Sequence, residues 1–192
     1  MRLSILILIT ITYTKTFVGQ TFNETDSLIS RLYNEISTSY NVESKKIGCY
    51  GNLSTLYKKV DTLKQTVGLE TFVNYFNDPS VNLKYYAFIE ILALDDKLAF
   101  EKLLDISSNT DIISFEFAGQ FRGKVKLLEL LTGEYLGFIK MKYYYGIGCT
   151  YHGRTYLFGN KDRRAWRRNS ASVENFVAVN GLSKKWIENY CR

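Results

Sequence analysis

The stretch Val81–Leu94, VNLKYYAFIEILAL, constrains the fold more than any other part of the chain. Its fourteen residues carry only Asn82, Lys84 and Glu90 as polar interruptions. That is too long for an ordinary strand, and on a helical wheel the apolar groups fall on nearly every side. A helix that is apolar all round must be covered all round, so this segment predicts a helix at the centre of a core.

The flanking segments can supply the cover. Thr25-Asp26 can cap a helix carrying Leu28, Ile29, Leu32, Tyr33 and Ile36 on one face. Gly48 and Gly51 then bracket Cys49 in an expected turn. A second amphipathic helix follows, with Leu56, Tyr57, Val60, Leu63 and Val67 inward and Lys58, Lys59 and Lys64 outward, and Gly68 stops it. Leu69 to Phe76 predicts a short helix, and the polar turn Asn77-Asp78-Pro79-Ser80 leads into the central one. Asp95-Asp96 closes the central helix and opens another, apolar at Leu98, Phe100, Leu103, Leu104 and Ile106. Ile112, Ile113, Phe115 and Phe117 alternate as a strand would. Val125 to Leu131 predicts a short helix punctuated by Thr132-Gly133. Phe138 to Tyr145 and Thr155 to Phe158, rich in aromatic and β-branched residues and separated by glycines, predict extended segments or a hairpin. Leu182 to Tyr190 predicts a last short helix.

Within the helical half, residues 63–107 resemble a HEAT-type unit of an α-solenoid. The resemblance rests on the turn residues Asp78 and Pro79 and on Val81, Lys84 and Ala87 of the following helix. It implies helical hairpins stacked side by side, since one such unit cannot bury its face alone. The fold class expected is therefore mainly α. HEAT-like hairpins stack around the helix at 81–94, and a small extended or β-hairpin C-terminal region packs on them.

Three regions follow from composition. Met1-Arg2 and LSILILITITY have the form of a secretory leader, and the apolar run is far short of the roughly 20 residues needed to span a bilayer. Cleavage after Gly19 is expected, although Phe17 stands where a small residue is usual; the other reading is a buried first strand or helix. Residues 20–139 then form the helical domain, with 12 Lys and Arg against 16 Asp and Glu, a net −4. Residues 140–192 form a basic aromatic region, with 11 against 3, a net +8. The asymmetry points to a surface turned toward an anionic partner, or to a solvated face that aids solubility. The leader places the mature protein outside the cytoplasm, secreted or periplasmic, with no transmembrane segment of its own.

Candidate chemistry is sparse. One histidine and three cysteines, no two cysteines within forty positions, do not make a zinc site, so no metal and no cofactor is expected. His152 is the only imidazole available to a hydrolytic triad, three residues from Cys149 in GCTYHGRTY. Neighbours in sequence rarely give the approach geometry, and no catalytic residue is assigned. An export route makes a disulfide possible, and Cys49–Cys149, both beside glycines, is favoured over Cys149–Cys191. The densest signal is KDRRAWRR, where Lys161, Arg163, Arg164, Arg167 and Arg168 surround Trp166, with Arg154 upstream. Guanidinium forks suit phosphate or carboxylate, and an indole face can stack. The partner expected is a protein, an anionic glycan or a lipid headgroup; export disfavours nucleic acid. The bland reading is that these arginines pair with acids of the helical half. The function expected is binding or scaffolding, with a small extracytoplasmic enzyme acting on an anionic polymer as the alternative.

Overall fold

The computed structural model describes residues 25–48, 52–118, 122–145, 149–151, 154–156 and 161–185. They form a mainly helical domain with a small sheet. Helix α1 runs through residues 25–37 and strand β1 through Val42–Gly48; the short β2 (Asn52–Leu53) follows. Helices α2 (Thr55–Thr66), α3 (Leu69–Phe76), α4 (Val81–Leu94) and α5 (Asp96–Asp105) come next. A hairpin, β3 (Ile112–Ala118) and β4 (Arg122–Lys126), leads into α6 (Leu127–Ile139), which ends in a π-helical turn at Lys140–Tyr145. The hairpin β5 (Cys149–Tyr151) and β6 (Arg154–Tyr156) precedes the long α7 (Arg163–Val179).

Helix α4 is covered all round, as its composition demands. Leu83, Tyr85, Tyr86, Ala87, Phe88, Ile89, Ile91 and Leu92 are all buried. Its start and end are set by side chains. Ser80 Oγ accepts from Leu83 N–H, and the Asp95 N–H donates to Ile91 O at 2.7 Å. Asp95 Oδ1 then accepts from Lys97 and Leu98 N–H, so one residue closes α4 and opens α5. Ala87 is 1% exposed amid larger neighbours. Ala87→Leu should overpack the core and lower stability by about 1–3 kcal/mol in denaturant titration; an unchanged midpoint would mean this face has room.

The sheet lies within the region expected to be almost wholly helical. Its order is β2-β1-β3-β4, with β1 parallel to β3 and both flanking pairs antiparallel. Parallel neighbours need a long crossover, and α2 to α5 provide it. The Tyr86 hydroxyl of α4 ties the sheet to the helices, accepting from Glu43 N–H at 2.7 Å and donating to Glu43 O at 3.2 Å.

Three local expectations are corrected. Strand β1 occupies the residues before Cys49, which the polar string VESKKIG does not advertise; the turn expected at Cys49 itself lies outside the described residues. Thr132-Gly133 does not end a helix: the Thr132 hydroxyl donates to Leu128 O, four residues back, and α6 continues to Ile139. Phe138 to Tyr145 is helical rather than extended, and a C-terminal hairpin pairs Cys149–Tyr151 with Arg154–Tyr156, while Leu157 and Phe158 lie outside the described residues. Phe138 and Ile139 are buried at the end of α6, so there a β-rich composition gave way to packing.

Candidate functional site

Helix α7 begins at Asp162, whose Oδ1 accepts from Arg164 and Ala165 N–H at 3.0 and 2.9 Å. It ends in a Schellman motif: Gly181 N–H donates to Ala178 O, and Leu182 N–H to Val177 O. Gly181 supplies the positive φ of 58° that this turn requires. The helix buries Ala165, Val173, Phe176 and Val177 against the core. At about 100° per residue the four arginines then spread over roughly 140° of the opposite face. Arg163, Arg164, Arg167 and Arg168 are all exposed, as is Lys161.

Among the described residues, none of these five cations is ion-paired; the bridges there join Lys59–Glu35, Lys64–Glu90, Lys84–Asp111, Lys102–Asp105 and Lys142–Asp96. The first turn of α7 holds no acid. Arg163 and Arg164 therefore sit in the first turn, at the positive end of the helix dipole, where the capping Asp162 carboxylate offsets part of the unfavourable interaction and a further anion would be favoured.

The π-helical turn brings a second group of residues to this end. Asp162 N–H donates to Tyr143 O at 3.1 Å, which docks the start of α7 on the turn. Inward, Lys142 Nζ lies 2.9 Å from Asp96 Oδ1, and the Tyr143 hydroxyl donates to Asp96 Oδ2 at 3.1 Å. Burial pulls the Lys142 ammonium down, but bonding and attraction from Asp96 more than offset it, and its pKa lies above the ordinary lysine value. Burial and the Asp96 charge push the Tyr143 phenol up, and Lys142 only partly counters them.

Outward, Tyr144 and Tyr145 are 47% and 42% exposed. Trp166, half-buried, meets Tyr144 at a centroid distance of 5.6 Å and an angle of 61°. Tyr144 meets Tyr145 edge to face at 5.1 Å and 86°. Lys140 Nζ stands 5.9 Å from the Tyr145 ring centre. Lys140, Tyr144 and Tyr145 escaped the sequence reading. The cue was present in KMKYYY, where cations and aromatics alternate within six residues beside a basic segment.

Other expected residues fall elsewhere. The Arg154 backbone lies in β6, but its side chain is outside the described residues, as are His152 and Cys49. Cys149 pairs with Tyr156 across the β5–β6 hairpin through its backbone, and the proposed Cys49–Cys149 bridge lies outside what is described. Among the described residues no group of His, Cys, Asp and Glu could hold a metal ion. No helix among them is long and apolar enough to cross a membrane. The buried carboxylates Glu90 and Glu134 face Lys64 and the Tyr85 hydroxyl respectively, which accounts for them structurally. A cleft of about 420 Å³ between α5 and α7, lined by Phe100, Leu104, Ser107, Ser172, Asn175, Phe176, Val179 and Asn180, contains no titratable side chain. Comparison with protein-family models, curated proteins and solved structures found no match to this chain.

Proposed function

We propose that this is an exported binding or scaffolding protein that engages an anionic partner through the basic face of α7. The observation that carries the reading is the exposed arginine quartet in the first two turns of α7, without an ion-pair partner among the described residues. A structural role would leave acids beside these side chains, and the described residues offer only the capping Asp162. The leader-like residues 1–19 support export. The α3–α4 hairpin, turning at Asp78-Pro79, supports a HEAT-like unit as the frame that holds this face.

The test is retention on a polyanion matrix. Wild type should bind and elute at a defined salt, because exposed charges are screened within about 8 Å at physiological ionic strength. The variant Arg163→Ala/Arg164→Ala/Arg167→Ala/Arg168→Ala should elute at markedly lower salt. It should also melt no lower than wild type, since removing Arg163 and Arg164 from the first turn relieves about 0.3–1 kcal/mol of unfavourable dipole interaction each at low ionic strength. Equal elution would overturn the reading. A lowered melting temperature would show instead that the arginines hold the fold together.

A further inference from the structure

We infer that the basic end of α7 and the tyrosine ridge beside it form a docking surface for an anionic phospholipid membrane. This rests on the proposed anion-binding role and names its partner. Among the described residues, Lys140, Lys161 and the four arginines share this end of the molecule with two acids, the cap Asp162 and Asp96, which Lys142 and Tyr143 engage. Their spread around α7 is too wide for one small anion to meet, which calls for an extended array of negative groups.

A soluble polyanion and a lipid surface both provide such an array, and the aromatic residues discriminate between them. Stacking on a sugar or base needs an open ring face. Trp166, Tyr144 and Tyr145 lie against one another in inclined contacts at 61° and 86°, so they make one continuous ridge rather than separate stacking platforms. Lys140 stands over the Tyr145 ring. Outward, the ridge offers two tyrosines nearly half exposed beside the cations. That pattern suits the boundary between headgroups and acyl chains, where tyrosine and tryptophan place an apolar body inward and a polar tip toward water. Basic residues beside it would be drawn to anionic headgroups. The opposite face of α7 is buried in the core, so the attachment is peripheral, by ridge and charge.

The test uses sedimentation of full-length protein with vesicles of phosphatidylcholine alone or in equal mixture with phosphatidylglycerol. Binding is expected to the mixed vesicles and to fall sharply on the neutral ones. Tyr144→Ser/Tyr145→Ser should weaken vesicle binding by about tenfold or more while leaving polyanion-matrix retention unchanged; Tyr145→Ser replaces it if the double variant melts early. In a Trp186→Phe background, Trp166 emission should shift to the blue on adding mixed vesicles. Matrix retention without binding to mixed vesicles would sink the membrane assignment and favour a soluble polyanion. Unaltered vesicle binding by the tyrosine variants would also sink it. Failure of wild type to bind either the matrix or the vesicles would remove the anion-binding reading as well.

Discussion

Glu90→Leu should destabilise the protein by about 3–5 kcal/mol, whereas Glu90→Leu combined with Lys64→Met should restore most of that loss. Lys64 Nζ lies 2.6 Å from Glu90 Oε1, and the two side chains are only 3% and 1% exposed. Removing the carboxylate leaves an ammonium in the core beside the Tyr57 ring, 5.2 Å away. An uncompensated buried charge is far more costly than the pair, because nothing replaces its hydration. Substituting both partners with apolar groups of similar length removes the desolvation penalty along with the attraction. Urea titration of both single variants and the double gives the coupling energy. Additive losses would mean that each group is held by something other than its partner.

This pair also shows where sequence reasoning reached and where it stopped. Glu90 was visible as a polar interruption in an apolar helix, but Lys64, expected on the outer face of α2, is instead nine-tenths buried, because Glu90 offers its ammonium a partner in the core. Segments whose local chemistry agreed with the fold were legible to the residue. Both α3 and α4 occupy the ranges their periodicity, glycine, serine and aspartate signals predict. Strand β1 was not legible, because VESKKIG is polar and its parallel pairing with β3 depends on residues about seventy positions away. Helix α7 was hidden by its own composition. Arginines, serines and asparagines dilute the spacing of Ala165, Val173, Phe176 and Val177, although Asp162 and Gly181 stood ready as caps. At the candidate site the cations were evident from density alone. The tyrosine ridge was not, because it exists only where the π-helical turn meets the start of α7.

The fold should fail in alkali, and Tyr86 should reveal why. Burial pushes the phenols of Tyr75, Tyr86, Tyr135 and Tyr143 up from the ordinary value, while the bond to Asp78 does the same first for Tyr33. A group whose folded pKa is raised contributes stability that is fully present below its unfolded value and is lost as pH climbs through the folded one. For tyrosine that loss starts near pH 10, roughly the unperturbed phenol value. Tyr86 is the decisive case, because burial drives its pKa beyond the accessible alkaline range despite the compensating bond with the Glu43 backbone. It can ionise only once α4 separates from β1. Tyr86→Phe gives up both bonds to Glu43 and should be less stable than wild type at neutral pH. The unfolded variant gains nothing from ionisation at this position, so the stability gap should narrow by about 1.4 kcal/mol per pH unit above roughly 10. Denaturant titrations of both proteins across that range measure the gap directly. A gap that stays constant would mean the Tyr86 hydroxyl reaches solvent in the folded protein, and that the contact between the central helix and β1 is looser than the bonds to Glu43 imply.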